Sequence, residues 1–165
     1  MSVGITLEEL LAWNDEAAIV WKNHLDINPA LLDAACDIGG TKNVQQFVRH
    51  IWGAELRWAQ RLAALTPQDK EKIPEGPLDA LFDLHRQALE IFRNLLAASE
   101  KSWAEPFVLQ FDWIPPEGRT VSRRKIAAHA LFHSQRHYAQ LATLVRTAGF
   151  PLTSRGDLLF SPALG

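Results

Sequence analysis

The chain has 165 residues, of which 47% are hydrophobic and 22% are charged, and its formal net charge is −2. This composition is typical of one folded domain and excludes a disordered chain, and the small net charge gives no reason to expect nucleic acid as a partner. A single cysteine, no visible signal peptide and no run of about 18 apolar residues predict a cytoplasmic protein without a membrane span. We expect one domain over residues 1–165.

Four long amphipathic helices are predicted in chain order. The first begins at the capping box of Thr6 and Glu9 and ends near Leu25. The second follows Thr41 and ends at Leu65 before a proline. The third covers residues 77–99, and the fourth covers residues 122–148.

The segments between these helices predict little regular structure. A short helix is expected over residues 30–35, and a charged connector over residues 68–76. Residues 103–119 predict a short hairpin or ordered loop, and Leu158-Leu159-Phe160 is expected to pack on the bundle. Because alternating strand patterns are nearly absent, the prediction is an all-α four-helix bundle.

Three of the six histidines lie on the predicted fourth helix. With Ile126 at zero, the apolar stripe covers roughly 0° to +100°, His137 falls at about +20°, His133 at about −20° and His129 near −60°. Residues four apart stand about 6 Å apart along a helix, and residues eight apart about 12 Å, so one metal ion can bind two of the three. The pair is therefore 129/133 or 133/137, and the position of the stripe favours the second. A structural role in the core remains the alternative for any of them.

A third ligand would have to come from another helix, and the candidates are His24, His50 and His85. His50 lies about 60° from Phe47, at the edge of the apolar stripe of its helix. His85 lies nearer the centre of its own stripe. Spacing alone leaves both open.

Other side chains in the helices raise separate questions. Glu55 and Asn14 fall inside apolar faces, and a buried carboxylate needs a cation or a place beside the ligands of a site. Trp52 lies about 140° from Phe47, which predicts that it covers a partner surface. The basic run at residues 123–125 is interpreted as a solvated face, with an anion site as the alternative.

Three segments resemble the DinB/YfiT-like family. Residues 11–25 resemble its first helix, and residues 50–58, with His50 followed by Glu55 and Trp58, resemble its second. Residues 133–140 resemble the HxxxHRGQ segment of the family, with Tyr138-Ala139 in place of Arg-Gly. The similarity covers most of the chain and is specific in the second and fourth helices.

The resemblance implies an up-down-down-up bundle in which one histidine of the second helix and two of the fourth bind a divalent metal. Carried over residue by residue, the ligands are His50, His133 and His137. This choice selects His50 over His85, which spacing could not do, and it agrees with the 133/137 pair.

Three imidazoles leave a coordination position open, which is typical of reactive rather than structural zinc sites. Such a metal can lower the pKa of a bound water or thiol, and imidazole suits Zn, Ni or Fe. Ser134 follows His133, which excludes an HExxH site, and no Glu-x-x-His pattern is present to form a di-iron site.

Some relatives in the family look like thiol transferases. The resemblance therefore predicts a metal-dependent enzyme, a thiol S-transferase first and a hydrolase second, acting on a small molecule such as a low-molecular-weight thiol. The alternative is a non-catalytic, stress-related bundle that binds metal or dimerises. A homodimer is also implied, with no nucleic-acid or membrane partner.

Overall fold

The computed structural model describes residues 4–73, 75–97, 101–111, 114–154 and 157–164. Within them the chain forms four long helices and one short one: α1 (Leu7–Ile27), α2 (Val44–Leu62), α3 (Leu78–Leu96), the short α4 (Lys101–Ala104) and α5 (Arg123–Thr147). The fourth long helix predicted from the sequence is α5. The predicted capping box of α1 is present, with reciprocal bonds between Thr6 and Glu9.

The ends of α2 differ from the sequence prediction. Asn43 caps the helix by accepting a hydrogen bond from the backbone of Gln46, so α2 begins at Val44 rather than directly after Thr41. Ala64 has a φ of 57°, and this left-handed conformation ends the helix before Leu65. For α3, the predicted end near Ser99 lies outside the described residues.

Short elements connect the helices. Two 3-10 helices, Pro29–Asp33 and Ile38–Gly40, lie between α1 and α2. The predicted hairpin is an antiparallel pair of strands, β1 (Pro106–Val108) and β2 (Thr120–Ser122). The prediction for the tail was wrong in part: Leu159 and Phe160 are 85% and 51% exposed, and Ser161 holds the tail by donating a hydrogen bond to Glu16 of α1.

Helices α2 and α3 run parallel. Gln45, near the start of α2, donates a hydrogen bond of 2.9 Å to the carbonyl oxygen of Gly76, just before α3. Further along both helices, Glu55 lies 3.1 Å from His85. A parallel pair requires a connection that returns along the bundle, and residues 63–77 make that connection.

Helix α1 is antiparallel to α3 and parallel to α5. Lys22, near the end of α1, forms an ion pair of 2.8 Å with Asp79 at the start of α3. His24 Nε2 lies 3.1 Å from the carbonyl oxygen of Phe150, just beyond the end of α5. Together with the parallel α2–α3 pair, these contacts confirm the up-down-down-up bundle.

Helix α2 packs against both α3 and α5, and the 3-10 helices Pro29–Asp33 and Ile38–Gly40 also contact it. Six consecutive residues, Ile51 to Leu56, are therefore buried. The prediction that Trp52 covers a partner surface was wrong: its side chain is fully buried, and its Nε1 donates a hydrogen bond of 2.8 Å to the hydroxyl of Tyr138. Other large, fully buried side chains include Phe47, Phe92, Leu25, Leu31, Leu81 and Leu141.

No helix in the described part of the chain combines the length and the apolar character that a membrane span requires.

Candidate metal centre

The structure brings His50, His133 and His137 together where α2 packs against α5. Each ring can offer one nitrogen such that the three nitrogens lie within 4.8 Å of one another. The ring of His50 is 5.4 Å from that of His133 and 5.1 Å from that of His137, centre to centre, and the rings of His133 and His137 are 4.3 Å apart. The convergence that the family resemblance implied is thus present, while metal binding itself stays a prediction.

Phe47 orients two of these rings. It is fully buried one turn before His50, whose ring stacks on it at 6.4 Å, and it meets the ring of His137 edge-on at 5.1 Å. Because Phe47 contacts one ring from each helix, its packing holds the imidazoles of His50 and His137 close to each other.

All three imidazoles are held in the neutral form that a metal requires. Burial lowers the pKa of His50 to about 4, assisted by the charges of His137, Lys70, Arg57 and Arg136. Burial and neighbouring histidines lower the pKa of His133 to about 3. Burial also lowers the pKa of His137, although its hydrogen bond to Gln140 opposes the shift. At neutral pH each ring therefore has a free lone pair.

Gln140 selects the tautomer of His137. Its Oε1 can only accept, so His137 Nδ1–H donates the hydrogen bond of 2.6 Å. The lone pair of His137 is then on Nε2, which lies 3.1 Å from Nε2 of His133. This role of Gln140 was not predicted, although the spacing of three residues after His137 places it on the same helical face.

The hydrogen bonding of His133 shows how a metal would fit. Its Nδ1 is buried without a partner in the described structure. If Nδ1 is protonated, the lone pairs of both Nε2 atoms face each other at 3.1 Å, and a cation between them would remove that repulsion. If Nε2 is protonated instead, it donates to His137, and Nδ1 is a buried acceptor without a donor.

The distances allow a zinc-sized ion. Zn–N bonds of about 2.0–2.1 Å in a tetrahedral site place neighbouring nitrogens about 3.3 Å apart. The separation of 3.1 Å between the Nε2 atoms is close to that value. The other nitrogen pairs, within 4.8 Å, need to approach by at most about 1.5 Å. The residues present therefore fit a divalent metal.

The remaining histidines lie outside this group. His129 packs edge-on against Trp58 at 5.6 Å, and its ring is 6.1 Å from that of His133. His24 contacts the backbone beyond α5. His85, a residue of α3, is fully buried against a different face of α2.

His85 belongs to a separate buried network that answers the question raised by Glu55. Its Nδ1 lies 3.1 Å from Glu55 and its Nε2 lies 3.1 Å from Asp15. The other oxygen of Glu55 accepts a hydrogen bond of 3.0 Å from the hydroxyl of Ser134. Glu55 is therefore paired with a cation, and through Ser134 it also ties α2 to the turn of α5 that carries His133.

Asn14 and the basic run have structural contacts. Asn14 is fully buried, and its Oδ1 accepts a hydrogen bond of 3.2 Å from Gln135. Arg123 donates a hydrogen bond to the carbonyl of Leu62 at the end of α2. Residues 124 and 125 are exposed, in agreement with a solvated face.

Most of the chain is similar to known proteins. Residues 1–154 match the sequence profile of the DinB family. The fold is similar to that of YfiT from Bacillus subtilis, described as a probable metal-dependent hydrolase with an unusual four-helix bundle topology. The TM-score is 0.66 at 15% sequence identity, and the match covers 91% of this chain and 93% of YfiT. A search of curated proteins gives no significant match.

Proposed function

The chain belongs to the DinB family, and we propose on that basis that it is an enzyme using a divalent metal held by His50, His133 and His137. The observation that carries the proposal is the convergence of three neutral imidazole rings within a few ångströms. When bound, a divalent metal would supply an acidic site that lowers the pKa of a thiol or a water and polarises a substrate.

The protein residues determine how such a site would work. Phe47 and Gln140 hold the imidazole rings in place and keep the lone pair of His137 on Nε2. Positive charges of Lys70, Arg57 and Arg136 reach His50 and would stabilise an anionic nucleophile near it. Three protein ligands leave room for that nucleophile.

A thiol is our first choice of nucleophile. A water used for hydrolysis is commonly deprotonated by a carboxylate beside the metal, as in HExxH sites. Among the described residues, the group that could hold the metal contains histidines only, and Glu75, the carboxylate in the cavity lined by His50, is exposed and paired with Arg49. A thiol has an ordinary pKa near 8.5 and reacts as its anion without a separate base, so this site suits thiol transfer.

Hydrolysis is the second candidate. It is favoured by the similarity in fold to YfiT, which is described as a probable metal-dependent hydrolase. Because identity to YfiT is 15%, this similarity supports the fold and leaves the reaction to experiment.

Metal content tests the binding step. The protein should be purified without chelators and analysed by inductively coupled plasma mass spectrometry. We expect about one equivalent of metal in the wild type and in His129→Ala, and loss of metal in His50→Ala, His133→Ala and His137→Ala. His129 is the matched control because it lies one turn before His133 on the same helix. Full retention in two or more ligand variants would contradict the proposal.

Activity assays then separate the reactions. The metal-loaded protein should be tested with small thiols plus an electrophile such as chlorodinitrobenzene, and separately with nitrophenyl esters. We expect thiol consumption that depends on metal and is lost in His133→Ala. Ester cleavage without thiol transfer would favour the hydrolase, and a metal-loaded protein inert in both assays would favour a non-catalytic metal-binding bundle.

A further inference from the structure

A cavity of about 150 Å³ opens beside the candidate metal centre. It lies between α2, the Ile38–Gly40 turn and the connector that precedes α3, and His50 forms part of its wall. The volume is enough for the polar end of a small molecule. A molecule in this cavity would therefore be next to a metal held by His50.

Arg57 lines the same cavity as His50. The two residues are seven positions apart on α2, which places them within about 20° of the same helical face and about 10 Å apart along the axis. Side chains on a helix lean towards its N-terminus, so the long side chain of Arg57 extends in the direction of His50. The charge of Arg57 contributes to lowering the pKa of His50, although burial is the larger cause.

The side chain of Arg57 is partly buried, and one of its hydrogen-bond donors has no partner. Its Nε is buried without a hydrogen-bond acceptor. No carboxylate forms an ion pair with Arg57 in the described part of the chain. Burial also lowers the pKa of Arg57, because water is partly excluded from the charge. Buried donors are normally satisfied, so the Nε–H of Arg57, in the wall of a cavity, is available to a ligand.

The other charged groups of the cavity are accounted for. Arg49 donates a hydrogen bond of 2.9 Å from Nε to the carbonyl of Ile73 and lies 3.4 Å from Glu75. Glu75 is the cavity's carboxylate, its side chain is 66% exposed, and Arg49 offsets its charge. Lys70 is exposed at the cavity and adds a further positive charge. The cavity therefore has an excess of positive charge, and Arg57 is its cation with an unpartnered buried donor.

We propose that this cavity is a substrate subsite in which Arg57 binds an oxyanion, a carboxylate or a phosphate, of the molecule that reacts at the metal centre. The planar guanidinium matches such groups, and its Nε–H together with one terminal N–H can bind two oxygens at once. Arg57 is a binding residue here and takes no part in bond making. The inference rests on the proposed function only in stating that the bound molecule reacts at the metal. Anion binding by Arg57 can be measured without any reaction.

The experiment follows the backbone amide signals of Gly39 and Gly53, which line the cavity, by ¹H–¹⁵N NMR at constant ionic strength in every variant. In the proteins that keep Arg57, its Nε–H signal is followed as well. Inorganic phosphate and acetate are the two anionic probes, and acetamide is the uncharged match for acetate. Measurements on zinc-loaded protein and on chelated protein separate binding by Arg57 from binding by the metal. The variants are Arg57→Gln, Arg57→Lys and the control Arg86→Gln, which removes a surface arginine whose side chain is 61% exposed.

In the wild type and in Arg86→Gln we expect a saturable shift with at least one anion and none with acetamide, with or without zinc. Arg57→Gln should weaken that binding at least ten-fold, and Arg57→Lys should restore it in part, since lysine keeps the charge without the two-point geometry. Binding of acetate alone would identify a carboxylate substrate, and binding of phosphate alone a phosphorylated one.

Absence of a saturable shift with both anions would overturn the inference, as would equal weakening in Arg57→Gln and Arg86→Gln. If Arg57→Gln fails to fold, modification of wild-type Arg57 by phenylglyoxal decides: protection by the anions supports the subsite and lack of protection refutes it. Zinc content is measured in the same samples. Wild-type protein that holds zinc but binds neither anion refutes the subsite alone. Wild-type protein that binds an anion but holds neither zinc nor another divalent metal refutes the proposed function alone.

Discussion

The buried pair of His85 and Glu55 makes the stability of the bundle depend on pH. Burial by itself lowers the pKa of His85, but the charge of Glu55 and the hydrogen bonds to Asp15 and Glu55 outweigh it and raise the pKa to about 9. Arg93 lies 3.4 Å beyond Asp15, with a side chain that is 64% exposed, so its opposing charge is largely screened by solvent. His85 is therefore a doubly protonated ring between two carboxylates at neutral pH.

The size of the effect follows from the shift. A rise in pKa from 6.5 to about 9 in the folded state corresponds to about 3 kcal/mol of unfolding free energy. Because the pKa is raised, this contribution is complete below the unfolded value of 6.5 and disappears as the pH rises through 9. About 2 kcal/mol of it should be lost between about pH 7.5 and pH 9.5, where unfolded histidines no longer titrate.

Urea unfolding of chelated protein across that interval, followed by circular dichroism, measures the loss. His85→Gln should be less stable at neutral pH by about 3–5 kcal/mol, because Glu55 loses its buried partner, and it should show little further loss with rising pH. His24→Gln is the matched control and should keep the wild-type decline. A wild-type free energy of unfolding that stays constant over the interval, or an equal decline in His85→Gln, would refute this reasoning.

Three further outcomes are expected. Zinc at about 100 times its dissociation constant should raise the unfolding free energy of the wild type by about 2.7 kcal/mol, and a similar rise in His133→Ala would contradict its role as a ligand. Tyr138→Phe removes the hydroxyl that accepts a hydrogen bond from buried Trp52 and should cost about 1–3 kcal/mol in urea unfolding, so an unchanged midpoint would show that this hydrogen bond is dispensable. Phe92→Ala, at a fully buried position, should lower the unfolding free energy by about 3–5 kcal/mol. Phe132→Ala, at a side chain that is 54% exposed, should leave it nearly unchanged. Comparable losses in the two variants, measured by thermal or chemical unfolding, would contradict the assigned core.

The four long helices could be predicted because their signals are local. Apolar residues recur with the period of a helix, and caps such as Thr6 with Glu9 lie within one turn. The spacing of His133 and His137 is also local, since four residues bring two side chains to one helical face. Positions of chain reversal were less accurate: the end of α2 depends on the left-handed conformation of Ala64, a residue that rarely adopts it.

The spacing of residues along one helix does not predict which residues of another helix they contact. The periodicity left His50 and His85 as equal candidates for the third ligand, and the family resemblance had to choose between them. In the structure His50 faces α5 and His85 faces Glu55 and Asp15. Which residues each face of α2 contacts depends on how α3 and α5 pack against it.

From the sequence alone came the all-α class, the number of long helices and the pair of histidines on one helix, because each of these depends on residues within a few turns of one another. Only the tertiary structure decided that Trp52 is buried, that Glu55 pairs with His85, and that Arg57 has a buried Nε without a partner beside His50. These features depend on how many helices surround α2 and on which side chains meet across 30 to 86 positions of sequence. The period of a helix shows which residues share a face, whereas the partner of a side chain and the covering of a second face are properties of the packed bundle.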